Sequence, residues 1–391
     1  MTDKINYIDT SESLKHAIQT LGQAPAVAID LEFDKNFHRY GFNLCLVQLF
    51  TGEHCYLIDP LQDGVDIELL FPLLENDRIK KICFAFDEDL RLLNSIGCFP
   101  KNLFDLSLAS RLINDPPLSL TNILKDHLDI DTGSSSQQSN WFKRPLTKRQ
   151  LNYAANDVLH LFDLQEFIEK QSKERGVADW IKQENELLDD LDYSKIDHNG
   201  TVKEKEKNGF TEYQWHIYKS LLDWQNEMGL QLNRPAYQII PKSYLAEISK
   251  DSRELMKWNQ TKGIHRKLKS DEYKQQILDL INEAKINADS LNLSNNKSAR
   301  KELSQSDHRA QLKLRNEINH AKKELFTPIK NCIKKRYGAE TANFLLSNRL
   351  ISDLVKGDSC QFANYRIELF ISCAQELSLD TDLLNEYLPD H

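Results

Sequence analysis

Asp30 and Glu32 stand two residues apart in AIDLEF, flanked by apolar neighbours. Side chains two apart in a strand share a face, so this spacing sets two carboxylates side by side, where they repel and resist dehydration. A strand end with solvated acids fits the same pair. Asp89 lies in CFAFDEDLRLL, where a strand-like run passes into a helical one; there Asp87, Glu88 and Asp89 also read as charges meeting a helix dipole. Tyr153 and Asp157 are four apart in LNYAANDVLHL and share a helix face, as an ordinary surface pair would. If one cleft collects all these acids, cations must neutralise them, and hard carboxylate oxygens suit Mg²⁺ or Mn²⁺. On spacing alone that is the equipment of a two-metal phosphodiesterase.

The elements that would position these groups follow from pattern. AVAIDLEF, LCLVQLF, CYLIDP and KKICFAF read as strands, and DEDLRLLNSIG, LFDLSLASRLI and SLTNILKDHL as helices, which gives an α/β domain. Thr147 and Gln150 match a capping box that opens a long helix, expected from about Lys148 to about Gln171. The Ser/Gln stretch at 131–140 reads as a loop inside this domain. After about Glu186 the composition turns polar and charged, and the rest is helical in period. That second half divides at the Asn/Ser-rich run 286–307, with Trp215, Tyr218, Leu221, Leu222 and Met228 patterning one helical unit and Leu325, Ile329 and Ile333 the other.

The chain's 391 residues exceed what one core usually organises, so two or three domains are expected. The N-terminus lacks the basic and apolar regions of a signal peptide, no window approaches a membrane span, and seven cysteines without a CxxC pair suit buried thiols in a reducing, cytosolic compartment rather than zinc. A net charge of −9 argues at first against a nucleic-acid partner. The distribution is uneven, however: residues 1–200 sum to −13 and residues 201–391 to +4.

D-x-E in a strand, D at a strand-to-helix junction and Y-x-x-x-D on a later helix form the DEDDy exonuclease arrangement. With ASRLI, SLTNILKDHL and SNWFKRPLTKRQLNYAANDVLHL, the chain resembles the ribonuclease D family over about residues 1–170. The resemblance implies an α/β ribonuclease H-like exonuclease domain, a mixed central sheet flanked by helices, over residues 1–195. It places Asp30, Glu32 and Asp157 on one divalent cation, Asp30 also on a second, and Asp89 on the second through water, with Tyr153 positioning the attacking water. It further implies 3′→5′ action releasing nucleoside 5′-monophosphates, with the terminal 3′-hydroxyl near Phe33. Gln48 matches the family at the end of the second strand, as does the run from Trp141 through Arg144, Pro145 and Leu146 to Gln150. Lys143 and Arg144, with Lys148 and Arg149, form a basic cluster suited to backbone phosphates. The chain departs from the family pattern at Ser134, where a lysine is usual, at Phe84, where histidine is frequent, and at Asn140, usually aspartate.

Residues 209–288 resemble the helicase-and-ribonuclease-D C-terminal (HRDC) domain through WHIYKSLLDWQNEMGLQLNRPAYQIIPKSYLAEIS, and residues 308–386 resemble a second, divergent copy. Trp215, Leu221, Trp224 and Leu245 are expected in the core, whereas Lys262, His265, Arg266, Lys267 and Lys269 form a basic segment suited to RNA, as do Lys334, Lys335 and Arg336. The combined expectation is an exoribonuclease trimming structured RNA 3′ ends, tRNA precursors above all. A DNA exonuclease using the same site and a non-catalytic RNA-binding scaffold are the alternatives.

Overall fold

The structure, a computed structural model, describes residues 5–134, 136–194, 204–296, 305–358 and 362–389; Ser135 of the Ser/Gln loop and Cys360 lie outside them. The chain forms two compact units. One takes the described residues of Met1–Glu32, Leu44–Lys195 and Ser306–His391, the other those of Phe33–Asn43 and Ile196–Gln305.

In the first unit, β1 (Ile5–Ile8), β2 (Ala26–Lys35), β3 (Phe42–Phe50), β4 (Cys55–Ile58), β5 (Lys80–Cys83) and β6 (Leu103–Asp105) build a six-stranded sheet in the order β1-β4-β3-β2-β5-β6. β1 runs parallel to β4, β5 parallel to both β2 and β6, and β3 antiparallel to β4. The sheet is therefore mixed, as expected. β4 is buried throughout and β3 over its last six residues, which accounts for unbroken apolar runs instead of alternation. β6 corrects the expectation of a helix from Leu103. Its edge position is made tolerable by side chains distant in sequence: Asp189 accepts the N–H groups of Asn102 and Leu103, and Asn185 that of Asp105.

The helices of this part are α1 (Ser11–Leu21), α2 (Phe71–Leu74), α3 (Asp87–Ser95), α4 (Leu106–Leu112), α5 (Leu120–Leu128), α6 (Lys148–Leu159), α7 (Leu161–Arg175) and α8 (Ala178–Glu186). The capping box of Thr147 and Gln150 opens α6 as its spacing predicts. The single long helix expected there is instead two. His160, at φ −109° and ψ 6°, turns the chain between α6 and α7, after which Leu161, Leu164 and Ile168 bury in the core.

The second unit begins with α9 (Glu212–Leu232), α10 (Ala236–Ile239), α11 (Lys242–Lys250) and α12 (Asp271–Ser290). Leu221, Trp224, Leu245 and Trp258 lie in its core, and Trp215 packs against that core partly buried. Gln225 donates to the carbonyls of Ala236 and Ile240, fixing the turn that follows α9. The β2–β3 connection docks on this helix. At Gly229 even one added carbon would collide with the Tyr40 ring, 2.8 Å from its position, so the approach requires glycine.

The last helices are α13 (Gln305–Ala321), α14 (Thr327–Tyr337), α15 (Ala339–Leu345), α16 (Asn348–Lys356), α17 (Asn364–Glu376) and α18 (Thr381–Tyr387). They share one apolar core with the sheet domain. Trp180 of α8 stacks on Tyr365 of α17 at 4.8 Å, and Arg366 donates to the Glu184 carboxylate, with its Nη2 at 2.7 Å from Oε2. Both partners of this ion pair are nearly buried, a geometry in which loss of one leaves a stranded charge. Asn114 accepts the Glu340 N–H at 2.9 Å and so holds the start of α15. No described helix is long and apolar enough to cross a membrane.

Candidate active site

β2 carries Asp30 and Glu32 in the middle of the sheet, and α6 brings Asp157 to them. Oxygens of Asp30, Glu32 and Asp157 lie within 4.8 Å of one another, the only such cluster of three potential metal ligands among the described residues. Asp89, near the start of α3, accepts the Leu31 N–H and so also faces β2. It is buried, and its Oδ1 has no hydrogen-bond partner. The spacing thus unites all four acids.

Electrostatics here is dominated by burial and mutual repulsion. Burial, then Asp89, Asp157 and Glu32, push the Asp30 carboxyl well above the usual range, and burial with Asp157 and Asp89 does the same to Glu32. Burial raises Asp89 and Asp157 to about 7, partly offset by backbone N–H groups at Asp89 and by the Tyr153 hydroxyl at Asp157. Such a group of acids is poorly neutralised by the protein itself. A buried oxygen without a donor, beside hard oxygen ligands that repel one another, fits a divalent cation.

Tyr153 sits one turn before Asp157 on α6, hydrogen-bonded to its carboxylate. Its ring lies 6.3 Å from that of Trp141, which is 1% exposed and donates from its indole N–H to the Gln137 carbonyl. Trp141 is therefore a support under α6, and burial leaves no ring face for a substrate. Arg144 is likewise committed inward. Its guanidinium pairs with Asp59 and donates to the carbonyls of Cys45 and Trp141, which corrects the reading of it as a phosphate contact. Gln48 is fully buried, with neither amide atom hydrogen-bonded. Lys143, Lys148 and Arg149 are exposed, and Arg149 donates to Ser134 and Ser136 in the loop that lacks the family's lysine. Phe33 is half-buried on β2, edge-on to Phe42 at 5.2 Å. Phe84 packs against the core, and Asn140 accepts the Phe142 N–H.

One positioning residue escaped the sequence reading. The buried Asp105 carboxylate accepts the N–H groups of Ala85 and Phe86, which lead into α3, and those of Ser107 and Leu108, which begin α4. It thereby fixes the turn that delivers Asp89. Its only sequence signal is an aspartate directly before LSLASRL, the pattern of a helix N-cap.

The 3′-5′ exonuclease family matches residues 5–173. The ribonuclease D of Desulfotalea psychrophila is 30% identical over 249 residues, covering 62% of this chain and 66% of that protein, and that of Nitrobacter hamburgensis is 29% identical over 186 residues, covering 47% and 48%. The chain's matches thus span from about half to just under two thirds of these curated relatives. The crystal structure of Escherichia coli RNase D, 22% identical, shares the fold across 95% of this chain and 99% of that one, with a TM-score of 0.63. Residues 5–173 thus match the 3′-5′ exonuclease family, and the chain is similar in sequence to ribonucleases D and in fold to the Escherichia coli enzyme.

Proposed function

We propose that the chain is a 3′→5′ exoribonuclease that shortens RNA from its 3′ end, releasing nucleoside 5′-monophosphates, with tRNA precursors and other structured RNAs as substrates. The observation that carries this reading is the convergence of Asp30, Glu32 and Asp157 within 4.8 Å, with Asp89 beside them and Tyr153 bonded to Asp157. Asp30, Glu32 and Asp157 would hold one Mg²⁺ or Mn²⁺, and Asp30 and Asp89 would hold a second, Asp89 through water. Bound there, such cations neutralise the acids, acidify water and stabilise charge on the departing 3′ oxygen.

The chain's own groups do the positioning. The Tyr153 hydroxyl, anchored by Asp157, holds the attacking water in line with the scissile phosphorus. Phe33 packs against the terminal nucleoside, and Lys143, with Lys148, steadies the phosphates leading to it. Gln48, Trp141 and Arg144 keep the frame on which these groups stand. Residues 209–288 and 308–386 serve as HRDC-like modules that gather RNA through charge, Lys334 and Lys335 being exposed on α14. A cytosolic setting, where RNA 3′ ends and Mg²⁺ occur together, suits this chemistry.

A 5′-labelled tRNA carrying a 3′ trailer, incubated with the protein in Mg²⁺ or in EDTA, tests the reading. A ladder shortening from the 3′ end, absent in EDTA and absent for the Asp30→Asn, Asp157→Asn double variant, is the expected result. Undiminished trimming by that variant would falsify the metal assignment, and faster digestion of a matched DNA strand would refute the choice of RNA.

A further inference from the structure

The second unit displays a surface that the chemistry above does not use. Phe37, 61% exposed, stands at the tip of the β2–β3 connection, and Tyr237, 58% exposed, projects from α10. The Tyr237 hydroxyl donates to the Phe37 carbonyl at 2.8 Å, and Gln238 reaches both that carbonyl and the Tyr237 oxygen, so Tyr237 is tied to the backbone that carries the Phe37 ring, itself edge-on to His38 at 4.7 Å.

The tip is held rigidly. Buried Asp34 accepts the backbone N–H groups of Phe37, His38 and Arg39 and also bonds the His38 ring. Tyr40 seats the same segment on Gly229. An isolated exposed aromatic needs no explanation, but a ring fixed in the open by a buried carboxylate, beside a second ring, is a preorganised apolar face.

Cations flank it. Arg234, exposed, precedes Tyr237 by less than one turn, and the His265 N–H bonds the carbonyl of Ile239, the last residue of α10, which ties the segment carrying the exposed Arg266 and Lys267 to the end of that helix. Burial, then the positive charges of Arg234, Lys267 and Arg266, hold the His265 imidazole below its usual range, which shows these cations gathered around it. Aromatic faces for bases combined with a cationic border for phosphates are the parts of a single-strand platform, since every unpaired base offers a ring face and no sequence need be read.

We infer that Phe37 and Tyr237, bordered by Arg234, His265, Arg266 and Lys267, bind unpaired RNA by stacking bases on the two rings. Duplex RNA is excluded because its bases are already stacked. The choice of RNA over DNA rests on the function proposed above; the single-strand preference rests on this surface alone.

The test is fluorescence anisotropy with the full chain in EDTA, using a labelled single-stranded RNA of about 12 nucleotides, within the usual single-strand site sizes. Phe37→Ala and Tyr237→Ala should each weaken binding at least about fivefold, while Phe37→Trp, which keeps a ring, binds like the parent. A blunt duplex should bind equally to all four proteins. Replacing Arg266 and Lys267 with alanine together should reduce the salt dependence of log K by about 1.4, at roughly 0.7 per phosphate. Alanine variants that bind the single strand like the parent would overturn the inference and leave the patch as a protein-docking face. Equal loss on single strand and duplex would also overturn it, as would loss confined to a matched DNA strand. Because no cleavage occurs in EDTA, ring-dependent binding by a chain that never trims RNA would refute the exonuclease and spare the platform.

Discussion

Removing one negative charge from the acid cluster should make the metal-free protein more stable, and Asp89→Asn is the variant to show it. The amide keeps an acceptor for the Leu31 N–H while losing the charge that burial opposes. Asp89 titrates near 7 in the folded chain against 3.8 when free. Between those values the folded state keeps a proton that the unfolded state has lost, so stability falls as pH rises and the full penalty stands above 7. At 1.36 kcal/mol per pKa unit the ceiling is about 4 kcal/mol. Relaxation around a charge in a protein of effective dielectric near 20 leaves roughly 1–3 kcal/mol, or a Tm rise of roughly 2–12 °C in a unit of this size.

Thermal melts in EDTA at pH 4 and pH 8 read this directly. The variant should exceed the parent at pH 8 and match it at pH 4. Added Mg²⁺ or Mn²⁺ should raise the parent's Tm more than the variant's, because a cation that binds only the folded state stabilises it in proportion to its affinity. A variant that melts at or below the parent at pH 8 in EDTA would refute the reasoning, since Asp89 would then be compensated by something other than a cation.

Three further outcomes follow from the geometry. Tyr153→Phe should lower kcat by roughly 10- to 100-fold, the range for a partner behind a metal ligand, with KM and Tm unchanged because the ring beside Trp141 remains; steady-state kinetics on a 3′-extended RNA would expose an unaltered kcat as contrary. Glu184→Ala strands Arg366 in the core and should cost about 3–5 kcal/mol in urea unfolding, so a loss below about 1 kcal/mol would mean that water reaches the pair. Asp105→Ala releases the turn before α3 and should reduce kcat while weakening Mn²⁺ binding, measured by calorimetry; unchanged affinity would exclude its role in delivering Asp89.

What could be read in advance was what local pattern encodes. The apolar runs of β2 to β5, the Thr147 and Gln150 cap and the shared faces of Asp30 with Glu32 and of Tyr153 with Asp157 all depend on neighbours within a few residues. What was missed depends on partners far along the chain. β6 is a strand because Asp189 and Asn185 complete its edge, and Arg144 is a half-buried tie because Asp59, 85 residues earlier, awaits it. In sequence Arg144 looks the same as exposed Lys143 beside it. The joining of α13–α18 to the sheet domain was equally invisible, since helical period reports that a face is buried but not against what.

That joining has a consequence for synthesis. Glu184 leaves the ribosome 182 residues ahead of Arg366, an interval of roughly 10–35 s at about 5–20 residues per second. Throughout it the nascent sheet domain holds every acid of its cluster yet lacks the wall formed by α14, α15 and α17, with the Trp180 face and a carboxylate waiting in the open. A chain arrested near residue 195 would thus carry a complete set of acidic ligands while the face around Trp180 and Glu184 stays uncovered until residues 306–391 follow.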